Sequence, residues 1–220
     1  MTTQAIAAYG IQLRLADGVP SGPAPITAAT NTSPITLTTS VPHGVADVHT
    51  VTVAGVLGNT AANGTWIGER VGTNTIKLRG TAGSGAYTSG GTLIRTDSYA
   101  VIAELTNLVD VGIQATLVET SAHDGNNWTS RVPTLLSGNT VRLSLNLVPT
   151  APTHNPTTGL EFLLRTKTRR GFLVVFPDVL KTTWWFSGWV TSHRVAGPVA
   201  GILTAQTTVE MVDVPILAAA

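Results

Sequence analysis

Apolar and polar residues alternate with a period of two along much of the chain. Tyr9, Ile11, Leu13 and Leu15 alternate with Gln12 and Arg14, and Tyr99, Val101, Ala103 and Leu105 repeat the pattern. A third run sets Val111, Ile113, Ala115 and Leu117 on one side and Gln114 and Thr116 on the other. A fourth sets Val141, Leu143, Leu145 and Leu147 against Arg142, Ser144 and Asn146. Successive side chains of a strand point to opposite faces, so each run predicts a half-buried antiparallel strand, the first two pairing with each other. GFLVVFPD, WWFSGWVTS and LTAQTTVEMVDVPIL add three strand-like runs near the C-terminal end. One segment has helical spacing instead. Leu160, Leu163 and Leu164 form a stripe behind Thr158 and Glu161 at capping-box spacing, and Lys167, Arg169 and Arg170 follow before Gly171. This predicts a helix over residues 159–169, and the whole predicts an all-β fold, a β-sandwich or barrel with one flanking α-helix.

Between Ile26 and Leu93 the texture changes to short β-rich runs broken by Gly, Asn and Pro: PITLTTSVPHG, HTVTVAGVLGN, NGTWIGERVGTN and TIKLRGTAGSG. Three prolines and two glycines precede it within residues 18–25, and strand alternation resumes after Asp97. The arrangement predicts a small β domain, residues 25–94, inserted into a body of residues 1–24 and 95–220. Residues 18–25 read as a short stiffened connector, with an insert whose deletion the body tolerates.

Charge changes the picture. Of 220 residues 43% are hydrophobic and 11% charged, against about 25% charged in an ordinary domain. Mean hydropathy is +0.24. So uncharged a surface is best explained as an interface. The net charge of +1, with signs interspersed, gives no field for sequence-specific nucleic-acid binding. Without cysteine, disulfides and thiolate metal sites are excluded. Neither a secretion signal nor an apolar run of about 20 residues is visible, which predicts assembly in the cytoplasm and no membrane partner.

Monomers usually guard sheet edges with lysine or proline. The body's two lysines, Lys167 and Lys181, lie outside the runs at residues 110–120 and 140–148. These strands suit continuation of a sheet into a neighbouring copy, which makes Asp110, Gln114, Thr116, Glu119, Arg142, Ser144 and Asn146 self-assembly candidates. The same pattern fits two internal strands of one sandwich.

Candidate chemistry is thin. Ser121, His123 and Asp124 have the residue types of a nucleophilic triad but lie within four consecutive positions, without the G-x-S-x-G elbow that exposes a serine. The HDGNN segment reads as a loop tip between strands ending near Glu119 and starting near Thr129. His43, His49 and Asp47 fall short of a ligand set for zinc, and the histidines read as turn residues. GTAGSG lacks the lysine and helix of a phosphate cradle. Trp184, Trp185 and Trp189, with Phe186, could stack on a sugar, but core or interface explains them as well. Asn31, Asn63 and Asn127 match glycosylation acceptors with no signal to deliver them. The expectation is a chain without catalytic residues, metal or cofactor.

In order along the body, AAYGIQLRLADG, SYAVIAELTNLVDVG, ETSAHDGNNWTSRVPTLLSGNTVRLSLNLVP, HNPTTGLEFLLRTKTRRGFLVVFPD and WWFSGWVTSHRVAGPVAGILTAQTTVEMVDVPIL resemble the tail-tube (major tail) proteins of long-tailed bacteriophages. The resemblance covers roughly two thirds of the chain. It implies a β-sandwich flanked by a helix, homohexameric rings stacked into a virion tail tube, and long hairpins joined into an inner β-barrel that conducts phage DNA during genome ejection without reading its sequence. It further implies contacts with tape measure, tail terminator and distal tail or baseplate proteins. His123, Asp124, Asn126, Asn127 and Trp128 would then touch the next ring. The insert, where PHG, GVLGNTAANGTW and GSGAYTSGGT resemble a small β module recurrent in phage tail and baseplate proteins, departs from the pattern at ADVHT. A duplex must pass the channel, so the insert is expected on the tube exterior. Competing readings are a carbohydrate-binding or adhesin-like β-sandwich, favoured by the tryptophans, and a β-sandwich hydrolase, which lacks the residues.

Overall fold

The computed structural model describes residues 10–45, 48–120, 129–179, 181–212 and 215–218. It is all-β with one α-helix. The strands in chain order are β1 Gln12–Ala16, β2 Ala24–Ala29, β3 Ile35–Thr39, β4 Val48–Ala54, β5 Gly64–Arg70, β6 Thr75–Arg79, β7 Thr92–Arg95, β8 Tyr99–Val101, β9 Leu105–Val109, β10 Ile113–Glu119, β11 Arg131–Gly138 and β12 Thr140–Asn146. Helix α1, Leu160–Thr166, follows, and then β13 Arg170–Val175, β14 Thr183–Ala196, β15 Thr204–Met211 and β16 Ile216–Ala218.

The chain divides into two compact units. The first comprises Met1–Ile102, Arg170–Trp185 and Ile216–Ala220; the second comprises Ala103–Arg169 and Phe186–Pro215. In the first, β2-β3-β6-β5-β4-β7 close into a barrel. Alternation explains the closure. Ile35 and Leu37, Val51 and Val53, and Ile76 and Leu78 fill the interior with Ile26, Val56 and Leu93, while the intervening threonines and lysine face outward. Side chains alone fill a barrel this small. Beside it, β1 pairs with β8 through Arg14↔Val101 and with β13 through Arg14↔Leu173, so the two alternating runs flanking the barrel do pair.

The barrel is packed onto these strands. Val48 and Ile67 of the barrel share one buried cluster with Ala16, Tyr99, Leu173 and Val175, against which Trp185 and Ile216 pack. Trp185 Nε1 donates to the Tyr99 hydroxyl at 2.7 Å, and that hydroxyl meets Thr50 Oγ1 at 2.9 Å. Burial holds the Tyr99 phenol far above its usual titration range. Gly171 lies beneath: a Cβ there would come within 2.9 Å of the Tyr99 oxygen and 3.1 Å of Trp185 Nε1. Arg79, among the most buried side chains, donates from Nε to Glu69 at 3.1 Å and from Nη1 to the Lys181 carbonyl at 2.6 Å.

The expected stiffened connector is therefore pinned. Ser98 N–H and Val19 N–H both donate to the Asp17 carboxylate, Ser21 N–H donates to the Arg95 carbonyl at 2.9 Å, and Arg95 N–H donates back to Ser21 Oγ at 2.9 Å. This packing bears against the expected tolerance of deletion. Joining Ala24 directly to Arg95 would leave Tyr99, Leu173 and Val175 uncovered, and the truncated chain is expected to be insoluble. Arg79→Met should lower the unfolding free energy by about 2–3 kcal/mol, read from urea denaturation, because it removes hydrogen bonds from a charged donor inside the fold.

In the second unit the strand order is β14-β15-β12-β9, with β12 between β9 and β15. Val141, Leu143 and Leu145 are buried and Arg142 is exposed. The helix is shorter than its sequence pattern. Thr158 Oγ1 donates to the Pro152 carbonyl at 3.1 Å and caps nothing; the N-cap is Gly159, where any Cβ would collide with the Thr153 carbonyl. Lys167, left-handed at φ 50°, ends the helix, with its N–H turned to the Leu163 and Leu164 carbonyls. Arg170 and Gly171 already belong to β13, so they contribute nothing to the helix end.

The segment entering the helix hangs on His154. This buried ring accepts the Val148 N–H on Nδ1 at 3.0 Å. Burial lowers its pKa against the opposing pull of Glu104, and burial also lowers that of His193, which Glu161 opposes. A histidine pKa below its ordinary value means that the folded state favours the neutral ring. That stability is fully present above about pH 6.5 and is lost as pH falls through the folded values. Urea midpoints should therefore drop between pH 7 and pH 5, and His154→Gln should flatten the drop.

Candidate self-assembly interface

After Val109, paired with Arg142, the β9–β12 pair departs from the sheet and continues as a separate two-stranded ribbon of β10 and β11. Asp110, Gly112 and Gly138 set the bend. Asp110 is left-handed at φ 65°, and Asn139 N–H donates to the Gly112 carbonyl at 2.9 Å. Gly138 passes so close to Met211 of β15 that a side chain there would overlap Met211 Cβ.

The register runs Ile113↔Gly138, Gln114↔Ser137 and Ala115↔Leu136, then Leu117↔Pro133, Val118↔Val132 and Glu119↔Arg131. The slip between Ala115 and Leu117 is a bulge, with Thr134 and Leu135 standing opposite Thr116 and Thr134 Oγ1 donating to the Thr116 carbonyl at 3.1 Å. Pairing and pleat together place Ile113, Ala115, Leu117, Pro133 and Leu136 on one face, ending at the Glu119–Arg131 pair. The other face carries Gln114, Thr116, Val118, Val132 and Ser137. Every residue of β10 is exposed, and on β11 Leu135 and Leu136 are 74% and 72% exposed. A lone two-stranded hairpin is marginal in water. This one also displays an apolar face that nothing in its own chain covers.

Most of the residues named from sequence gather at or near this ribbon. Asp110 lies 3.6 Å from Arg142, an exposed pair contributing little to stability. Both line a polar hollow of about 260 Å³ with Gln114, Asn139 and Thr140 at the ribbon base. Thr116 is at the bulge and Glu119 is opposite an arginine. Ser144 pairs with Gln206 across the sheet, and Asn146 Nδ2 donates to Glu104 at 3.3 Å. Since β12 already has a strand on each side, Arg142, Ser144 and Asn146 can meet another copy only through side chains. The strand that partners β10 is β11, expected from sequence only as a strand starting near Thr129, since RVPTLLSG contains Pro133 and lacks clean alternation. Its one signal was the turn chemistry ahead of it. Ser121, His123, Asp124, Asn126, Asn127 and Trp128 lie outside the described residues.

The other candidates are absorbed by the fold. His43 is buried, with Nε2 2.9 Å from the Gly72 carbonyl and Nδ1 accepting the Val45 N–H at 3.1 Å. His49 is buried beside Tyr99, ring centroids 5.6 Å apart, and Asp47 lies outside the described residues. Among the described residues no three metal-ligating side chains cluster. Trp185 is bonded to Tyr99, Trp184 points to the opposite face of β14, and Trp189 stays 39% exposed beside Glu210.

No protein-family model matches the chain, and no curated protein matches it. Among solved structures it is similar to a chain of the anti-feeding prophage baseplate, determined by cryo-EM with six-fold symmetry imposed. The TM-score is 0.42 at 13% identity, covering 55% of this chain and 83% of that chain.

Charging the apolar ribbon face tests whether copies of the chain cover it. Leu117→Glu with Leu136→Glu should abolish self-association in multi-angle light scattering. Both positions are exposed, so the subunit's unfolding free energy should change by no more than about 0.5 kcal/mol.

Proposed function

We propose that this chain is a structural subunit of a phage tail tube, its copies closing into hexameric rings that stack. The observation that carries the reading is the ribbon: an unguarded, fully exposed β-hairpin with one apolar face, which adjacent copies can cover by continuing the sheet around a ring. The colinear resemblance of the body segments to tail-tube proteins supports it, as does the low charge of the chain. In this reading Asp110, Arg142, Ser144 and Asn146 face the lumen. There, alternating charges and hydroxyls let a duplex slide, whereas a cationic lining would grip phosphate. The barrel stands outside the channel and stiffens the wall, and the tape measure, tail terminator and distal tail or baseplate proteins are the partners the stack meets.

Electron microscopy of the concentrated protein tests this. Uniform six-fold rings and tubes of constant diameter are expected. A monodisperse monomer at every concentration that binds a glycan array would overturn it in favour of a carbohydrate-binding module.

A further inference from the structure

The segment between β12 and α1 is a strap of nested turns closed by one imidazole. Val148 N–H donates to His154 Nδ1 at 3.0 Å. Inside that loop Ala151 N–H donates to the Val148 carbonyl at 2.9 Å, and the Ala151 carbonyl accepts the His154 N–H at 3.0 Å and the Asn155 N–H at 2.9 Å. Further on, the Asn155 carbonyl accepts the Gly159 N–H at 2.7 Å, and the Thr153 carbonyl accepts the Leu160 N–H at 3.0 Å. Leu160 opens α1, and with Leu163 it is buried. The strap thus delivers the helix to its place, and the His154 ring is the side chain that ties it.

The bond to Val148 also fixes the tautomer. A backbone N–H can donate only to an imidazole nitrogen with a free lone pair, so Nδ1 is bare and the neutral ring carries its proton on Nε2. Nε2 is buried and has no hydrogen-bond partner among the described residues. A second proton has one place to go, the Nδ1 lone pair, and there it meets the Val148 N–H donor against donor. Burial opposes a charge on this ring, whereas the Ala103 carbonyl and the Glu104 carboxylate favour one. On β14, His193 holds Thr207 Oγ1 at 2.8 Å from its Nδ1, faces Glu161 of α1, and repels His154 when both rings are charged. We propose that His154 is a proton-operated latch: a proton taken up at Nδ1 breaks the bond to Val148 and frees the strap and the entrance to α1, while β12 and β15 stay paired. Leu147 N–H, held by the Leu203 carbonyl at 2.7 Å, marks where the release stops.

Hydrogen exchange on the whole chain, corrected for the intrinsic rate at each pH, tests this. Between about pH 7.5 and about pH 5, across the range where a histidine titrates, the amides of Val148, His154, Asn155 and Gly159 should lose about tenfold of their protection, the worth of one hydrogen bond. Those of β12 and β15 should keep theirs. Long-range proton–nitrogen NMR at the higher pH should find the His154 proton on Nε2 alone. His154→Asn puts a carbonyl oxygen where Nδ1 stood, an acceptor that takes up no proton in this range, and should hold the strap closed at both pH values. His193→Gln should leave the response in place. A proton on Nδ1 at the higher pH, equal protection of the strap at both, loss of protection in β12 and β15 together with the strap, or an undiminished response in His154→Asn would each overturn the latch. The first three are read on the unaltered chain, so they decide the matter even if the asparagine variant fails to fold.

Discussion

The hydroxyl of Tyr99 is where segments far apart in sequence are forced together. It bonds Trp185 of β14 on one side and Thr50 of the barrel on the other, above a glycine whose position allows no side chain. A buried phenol must keep its hydrogen bonds, since leaving one unmade costs about 1–3 kcal/mol. The barrel, β8 and the start of β14 are thus held in one register. Arg79 repeats the device, tying the barrel's β6 to the backbone ahead of β14. With both in place, the inserted strands are the cover of the β1–β8–β13 face and share its core.

Much of this was legible in the sequence. Alternation located β1, β8 and β12, because a strand buried on one side cannot hide its period, and it located β10 too, although the expected half-buried strand is exposed on both faces. Turn chemistry located the hairpin between β10 and β11. Three things were hidden. The capping box at Thr158 has the right residues at the right spacing, yet the Thr158 hydroxyl is turned to the Pro152 carbonyl and the cap falls to Gly159. The connector's prolines suggested a spacer, whereas Asp17 and Ser21 use their side chains to lace it to Ser98 and Arg95. The register of β10 against its partner is concealed by a bulge and by Pro133, both of which break period two in β11.

The ribbon was legible as a liability before it was visible as a shape. Few lysines and low charge announced an unguarded edge, but they pointed equally to β12, which turned out to have a strand on each side. Only pairing decides which of two similar apolar runs is satisfied within its own chain. Leu143 and Leu145 resemble Leu117 in composition and pattern, and they are buried where Leu117 is exposed. The difference lies in Asp110, Gly112 and Gly138, which turn the hairpin away from the sheet before its second half begins.

On the ring reading proposed above, that bend would give the ribbon a stability that belongs to the population as well as to the molecule. If copies cover its apolar face as proposed, they bind the ordered hairpin and have nothing to bind in the frayed one, so subunit concentration would act as a stabilising ligand. Amide hydrogens across β10 and β11 would then exchange quickly in dilute subunits and slowly in concentrated ones, while those of the barrel keep one rate throughout. On that reading, a cell that accumulates the chain slowly would hold it with that hairpin unfastened until enough copies are present to close it.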